Sequence, residues 1–252
     1  MNKVIHLKMR LAELPVEVLC QFESTKTYCA DYLRTDQDAP EQIINLSEAV
    51  VTEEQCRLRA KGDPGAENRN VVENYALCRA LAEFLPSRDR VLFHGSSLSI
   101  DGKGVLFTAK SGTGKSTHTR LWREVFGERV VMINDDKPFL HIGPENTRIY
   151  GSPWRGKHRL GSNISAPLRA ICIVCRGVEN RIQRLTSREA LPTLLQQTYM
   201  PETPGMLRQT LALVDRLSRT VPVYRLYCNM DLEAAQVAYA GLEFDEKKAG
   251  SL

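Results

Sequence analysis

Hydrophobic and polar positions along the chain alternate between helical spacing and short apolar runs, which predicts a mixed α/β protein. From Asn70 the sequence VVENYALCRALAEFL places apolar residues at helical spacing and stops before Pro86, so a helix is expected there. Helices are also predicted over residues 116–126, 187–197, 205–220 and 232–242. The apolar runs predict strands at residues 90–100, 105–108, 130–136, 139–142, 148–150, 168–176, 181–185 and 223–227.

The first sixty residues differ from the rest, because short strand-like runs there mix with one or two helical patches. The segment KGDPGAENR at residues 61–69 is rich in turn formers and marks a break. We therefore expect a small N-terminal α+β region at residues 1–70 and a main domain at residues 71–242. Residues 243–252 are expected to form a flexible tail.

A glycine-rich segment, GVLFTAKSGTGKST at residues 104–117, lies between a predicted strand and a predicted helix. In this context the loop predicts a phosphate-binding site, because its backbone N–H groups and the helix N-terminus face an anion together. Ala109 stands where the pattern normally has glycine, and the two more crowded glycine positions are retained. The predicted phosphate ligands are Ala109, Lys110, Ser111, Gly112, Thr113, Gly114, Lys115, Ser116 and Thr117.

The same motif predicts the ligands ATP and Mg²⁺, with Lys115 on the β- and γ-phosphates and the Ser116 hydroxyl on the metal. Pyrophosphate remains an alternative donor, because the loop contacts phosphates and not a base. Asp135 and Asp136 end the strand that follows the loop helix, where carboxylates can bind Mg²⁺ or orient an acceptor hydroxyl. His94, at the end of an earlier strand, is a third catalytic candidate beside Asp135 and Lys115.

Basic residues cluster at positions 155–159 within the stretch GSPWRGKHRLGSN. Gly156 and Gly161 favour a loop that faces phosphate, with Arg155 as a ligand, over a merely solvated loop.

Composition narrows the class of protein. The 252 residues are 42% hydrophobic and carry a net charge of +4, which is ordinary for a soluble globular protein and too mild for a nucleic-acid binder. The sequence shows no membrane-spanning run and no signal-peptide core. Seven scattered cysteines favour a reducing cytoplasm, and Cys172 and Cys175 should point to opposite faces of one strand, unsuited to zinc. Oligomerisation is possible.

These motifs together resemble a known family. His94-Gly95, the GKGVLF return, SGTGKST and a double Asp about twenty residues after the loop lysine are similar to the C-terminal domain of HPr kinase/phosphorylase. The core SGTGKS is also similar to that of ATP-dependent phosphoenolpyruvate carboxykinases, which share this unusual P-loop fold. The resemblance covers residues 90–240 and implies a P-loop kinase core of the phosphoenolpyruvate carboxykinase/HPr kinase type.

The resemblance also implies roles. Asp135 matches the general base, Asp136 its metal-associated neighbour, and His94 a histidine that assists the base. Arg155-Gly156 is similar to the Arg-Gly of the family signature, but Pro153 replaces the acidic residue two positions earlier, which argues against the phosphorylase reaction. Carboxykinase activity is excluded, because the chain is too short for an oxaloacetate-binding half.

The sequence therefore predicts an ATP-dependent phosphotransferase that acts on a hydroxyl, with a small metabolite favoured as acceptor. A Ser kinase of a small protein or peptide is the first alternative, and a nucleotide-binding regulatory module with little activity is the second. A GTPase is disfavoured, because the chain lacks an Asn-Lys-x-Asp motif.

Overall fold

The computed structural model describes residues 4–242, so the predicted tail at residues 243–252 lies outside the described residues. The described chain is a mixed α/β structure, as the hydrophobic pattern indicates. Its seven helices are α1 (Glu23–Tyr28), α2 (Glu48–Ala60), α3 (Arg69–Phe84), α4 (Lys115–Phe126), α5 (Ser187–Gln197), α6 (Pro204–Thr220) and α7 (Glu233–Gly241). Within residues 4–242, no helix is both long and apolar enough to cross a membrane.

The described residues form twelve strands, of which the tenth is the longest, with twelve residues. They are β1 (Ile5–Leu11), β2 (Leu14–Cys20), β3 (Gln42–Asn45), β4 (Arg90–Leu92), β5 (Ser96–Ile100), β6 (Lys103–Thr108), β7 (Val130–Asn134), β8 (Phe139–Ile142), β9 (Thr147–Tyr150), β10 (Ser165–Arg176), β11 (Arg181–Leu185) and β12 (Val223–Cys228).

The N-terminal strands form a separate three-stranded sheet in the order β1-β2-β3. Helix α3 packs its buried face into the same apolar cluster as these strands, and Phe139, Tyr150 and Trp154 of the main sheet region join that cluster. By packing, α3 thus associates with the N-terminal strands, although the sequence places it in the main domain. Because one core spans both parts, the domain limits at residues 70 and 71 stay a prediction.

The main sheet has nine strands. Seven of them follow the order β4-β8-β9-β10-β6-β5-β7; β12 also pairs with β10, and β11 pairs with β12. Strand β10 pairs in parallel with β6 and β12 and antiparallel with β9. Apolar side chains from its two faces enter different clusters, so Cys172 is buried in one cluster while Cys175 packs against the other. This confirms that the two thiols point to opposite faces.

The predicted continuous strand at residues 90–100 is interrupted. Strand β4 pairs with β8, whereas β5 pairs with β6 and β7. Gly95 lies at the break, and a Cβ built there would be 2.8 Å from the Phe107 carbonyl oxygen. The interruption follows from this close approach, which the local pattern of apolar residues does not encode.

The turn at Asp101-Gly102 joins β5 and β6 in a hairpin. Strands β5 and β6 pair antiparallel, and Asp101 and Gly102 have φ values of 50° and 77°. Two successive positive φ values are the geometry of the tightest hairpin turns, which explains the Asp-Gly pair.

Helix α1 is short and depends on a distant carboxylate. Glu73 of α3 is fully buried and accepts hydrogen bonds from the backbone N–H of Gln21 at 2.8 Å, from that of Phe22 at 3.2 Å and from the Thr25 hydroxyl at 2.6 Å. These groups lie at the helix N-terminus, where unpaired N–H groups favour a negative charge. Glu73 therefore fixes α1 onto α3.

Replacing Glu73 by Ala should lower the free energy of unfolding by about 2–4 kcal/mol, since one buried and two partly buried donors lose their acceptor. Urea unfolding followed by circular dichroism measures this loss. Glu83→Ala is the matched control, because Glu83 accepts from the Glu202 and Thr203 backbone at an exposed position. Equal losses in the two variants would contradict the capping role of Glu73.

Candidate active site

The glycine-rich segment forms a loop between β6 and α4, in the predicted order of strand, loop and helix. Strand β6 ends at Thr108 and α4 begins at Lys115. Gly112 and Gly114 have φ values of 76° and 124°, which other residues rarely adopt. No atom of residues 4–242 lies within 4 Å of a Cβ built on either glycine. The loop backbone is therefore accessible at both glycines, as a phosphate site requires.

Arg176, at the end of β10, donates hydrogen bonds to this loop from the strand next to β6. Its guanidinium donates to the carbonyl oxygen of Gly112 at 2.8 Å and to that of Thr113 at 3.4 Å. These bonds engage two carbonyl groups of the loop. Sequence reasoning missed this arginine, because its position depends on the pairing of β10 with β6.

Lys115 lies at the first turn of α4 with its side chain buried. Its ammonium group donates to the Ala109 carbonyl oxygen at 3.1 Å. Burial lowers the pKa of Lys115, whereas the charges of Asp136 and Asp135 raise it. The lysine and both carboxylates thus act on one another, as the sequence predicts for a site assembled around polyphosphate.

Strand pairing explains why the two carboxylates lie near the loop. Strand β5 is antiparallel to both β6 and β7, so β6 and β7 run in the same direction and their carboxyl ends share one edge. Beyond β7, the Asn134 side-chain oxygen accepts from the backbone N–H of Asp136 at 2.9 Å and of Lys137 at 2.7 Å. The Asn134 amide donates to the Ser152 carbonyl oxygen at 3.1 Å. Asn134 therefore fixes the turn that carries both acids.

Asp135 is buried and connects to the loop helix through hydroxyl groups. It accepts a hydrogen bond of 2.6 Å from Ser96, whose oxygen lies 3.1 Å from the Thr119 hydroxyl. Thr119 in turn donates to the Ser116 carbonyl oxygen at 3.2 Å. This chain places Asp135 on the side of the site that carries Ser116.

Asp136 is partly exposed and lies beside other charged groups. One of its carboxylate oxygens accepts from the Lys137 ammonium group, and the other lies 3.8 Å from Nε2 of His94. The resemblance predicts that His94 assists Asp135, whereas the carboxylate that pairs with His94 in the structure is that of Asp136. The roles that the resemblance gives to the two acids stay predictions.

His94 is held by the end of helix α5. Its Nδ1 lies 2.8 Å from the Gln197 side-chain oxygen, and its backbone N–H donates to the Gln197 carbonyl oxygen at 2.7 Å. Burial and the Lys115 charge lower the pKa of His94. The ring is thus mostly neutral near pH 7. Gln197 and Ser96 were absent from the sequence prediction, because no local motif marks them and only tertiary contacts bring them here.

Arg155 lies in the loop of residues 151–163, and its guanidinium is engaged away from the glycine-rich segment. It pairs with the Asp31 carboxylate and lies over the Tyr32 ring, 5.6 Å from the ring centre. These contacts tie the loop to the N-terminal region. The predicted contact between Arg155 and phosphate stays a prediction.

A cleft of about 520 Å³ adjoins the glycine-rich loop. It is lined by residues 112–114, 117, 118, 174–177 and 228–230. Val174, Cys228 and Met230 contribute apolar groups to its lining, and the side chain of Met230 is exposed. The cleft therefore offers an apolar surface directly beside the predicted phosphate site.

The residues present fit Mg²⁺ and polyphosphate chemically. Ser116 and the two aspartates offer hydroxyl and carboxylate oxygens, the donors that Mg²⁺ prefers. Within residues 4–242, no group of three or more His, Cys, Asp or Glu side chains is arranged to hold a metal alone.

Comparison with solved structures shows weak structural similarity. No protein-family model matches the chain, and no curated protein matches its sequence. The HPr(Ser) kinase/phosphatase from Coxiella burnetii superposes with a TM-score of 0.36 and 12% identity, over 59% of this chain and 94% of that chain. A similarity this low leaves the family open.

The position of His94 can be checked by its titration. Its pKa should lie below 6.5, rise in Lys115→Met and fall further in Asp136→Asn, because Lys115 lowers and Asp136 raises it. NMR chemical shifts of the ring measured against pH report these changes. His118, whose pKa burial lowers to about 4, is an internal control that should barely respond. An unchanged His94 pKa in both variants would contradict the arrangement.

Proposed function

We propose that the protein is an ATP-dependent kinase that transfers a phosphoryl group to the hydroxyl of a small molecule, on a P-loop core of the HPr kinase type. The proposal rests on one observation above all. The accessible glycine loop, the buried Lys115 ammonium and the carboxylates of Asp135 and Asp136 lie at one edge of the sheet. We place the protein in the cytoplasm, a setting that suits its seven free cysteines.

In this proposal the loop amides and Lys115 hold the donor phosphates and stabilise negative charge on them. Bound Mg²⁺ would neutralise further charge on the phosphate oxygens. Ser116 and Asp135 would hold the metal, with the Ser96 and Thr119 hydroxyls connecting Asp135 to the turn that carries Ser116. This differs from the role that the resemblance gives to Asp135.

Asp136 then orients the acceptor and receives its proton, with His94 beside it. The acceptor oxygen forms a bond to the γ-phosphorus, and the bond from that phosphorus to the β–γ bridging oxygen breaks. The electron pair of the broken bond leaves with ADP, and the hydroxyl proton goes to the Asp136 carboxylate. Lys137 holds that carboxylate in place before the acceptor arrives.

The cleft beside the loop favours a nucleotide over pyrophosphate as the donor. Pyrophosphate has no group that would use an apolar cleft of about 520 Å³, whereas a nucleobase buries its faces on such a surface. We therefore infer that the base lies against Val174 and Met230.

Replacing each of the two aspartates by Asn should change a different property of the reaction. Asp136→Asn should lower turnover by a factor of about 10²–10⁴ while ATP still binds, since it removes the proton acceptor. Asp135→Asn should raise the Mg²⁺ concentration needed for half-maximal activity. Lys115→Ala should abolish turnover. Transfer of γ-labelled phosphate to a metabolite panel, with ATP binding followed by calorimetry, measures these effects.

Arg120→Ala is the control for these variants, because Arg120 is exposed on α4 and pairs only with Glu124 among residues 4–242. Turnover in Asp136→Asn equal to that of the unmodified protein would remove Asp136 from the mechanism. ATP binding without label on any acceptor would favour the regulatory module, and label on a protein fraction alone would favour the protein kinase.

The donor cleft has a separate test. Met230→Ala should raise the Kd for ATP about fivefold, the effect of losing roughly 1 kcal/mol of apolar contact, and leave the Kd for pyrophosphate unchanged. The control is Leu211→Ala, because Leu211 is also exposed and apolar but lies on α6, outside the cleft. Equal weakening of ATP and pyrophosphate would show that the base does not occupy the cleft.

A further inference from the structure

The loop of residues 151–163 connects the carboxylates to the N-terminal region. A Cβ built on Gly156 would lie 3.1 Å from Cβ of Asp136, so the loop backbone passes directly against that residue. On its other side, Asn163 donates to the Asp31 carbonyl oxygen at 2.7 Å, and Arg155 pairs with the Asp31 carboxylate. The N-terminal region therefore positions this loop at the acceptor side of the site.

The two arginines of the loop differ in their partners. The charge of Arg155 is matched by the Asp31 carboxylate. Arg159 is exposed, lies over the Tyr28 ring at 5.7 Å and pairs with no carboxylate in residues 4–242. Its guanidinium fork remains available to a ligand.

The loop backbone places Arg159 near Asp136. The backbone N–H of Arg159 donates to the Gly156 carbonyl oxygen at 3.2 Å, and Gly156 is the residue that passes against Asp136. In agreement, the pKa of Tyr28 is raised by burial and by the Asp136 charge and is lowered by the Arg159 charge. The backbone of Arg159 has a φ of 51°, an unfavourable value for a residue with a side chain. Strain of this kind is concentrated at functional positions.

We propose that the acceptor is a small hydroxy acid, whose carboxylate is bound by Arg159 while its hydroxyl faces Asp136. The inference rests on the proposed function and adds the chemical class of the acceptor. Arginine suits this role, because its planar fork donates two parallel hydrogen bonds to a carboxylate. Lys157, exposed in the same loop, adds a second positive charge toward an anionic acceptor.

The test compares hydroxy acids with counterparts that lack the carboxylate. L-serine, L-threonine and D-glycerate are offered with γ-labelled ATP and Mg²⁺ beside their amides, glycerol, and a serine peptide with blocked ends. We expect each acid to be labelled with a kcat/KM about tenfold to hundredfold above that of its amide, the range of one charge-assisted hydrogen-bonded pair.

Arg159→Gly separates a binding role from a structural one. Glycine relieves the positive φ, so the melting temperature should stay equal or rise, while the preference for acids over amides disappears. Calorimetric titration of the best acid in EDTA, without nucleotide, should show the same loss of binding. Asp89→Gly is the matched control, because Asp89 also has a positive φ, of 55°, and is not part of this loop.

Each outcome decides the matter. Acids preferred by the unmodified protein, with the preference lost in Arg159→Gly and kept in Asp89→Gly, support the inference. Equal labelling of acids and amides, labelling of the blocked peptide alone, or an unchanged preference in Arg159→Gly overturns it and leaves the kinase intact. No label on any probe, together with no ATP binding, overturns the proposed function itself; no label with ATP bound overturns the acceptor class.

Discussion

The pairing of β5 with both β6 and β7 is the constraint on which the site depends. Because β5 is antiparallel to each neighbour, the carboxyl ends of β6 and β7 meet at one edge of the sheet. The glycine loop follows the end of β6, and Asp135 and Asp136 follow the end of β7. Lys115, which begins the helix after the loop, is thereby buried beside two carboxylates. Without this pairing, the two motifs would be separate features of the chain.

The N-terminal region contributes to the site through a series of contacts. Glu73 fixes the start of α1, and the segment that follows α1 presents Asp31 to Arg155. The loop that carries Arg155 then passes against Asp136 at Gly156. The N-terminal region thus positions this loop beside Asp136. Because the apolar core also spans both parts, changes in the N-terminal region should reach the edge of the sheet that carries Asp136.

Much of the fold follows from local pattern, and the exceptions have tertiary causes. The hairpin at Asp101-Gly102 and the helix that begins at Lys115 match their sequence signals closely, since turn geometry and helix spacing are local properties. The strand expected across Gly95 is broken, because the chain there passes close to β6. Helix α3 packs with the N-terminal sheet, which its own periodicity could not indicate.

The sequence by itself determined the phosphate-loop motif and the pair of acids after β7, because both depend on residue type at fixed spacing. Only the tertiary structure decided which acid lies beside His94 and that Ser96 and Gln197 contact the site residues. It also decided that Arg155 pairs with Asp31, whereas Arg159 pairs with no carboxylate among residues 4–242. The reason is physical. Contacts between side chains distant in sequence depend on strand order and register, and neither leaves a local signal in the chain.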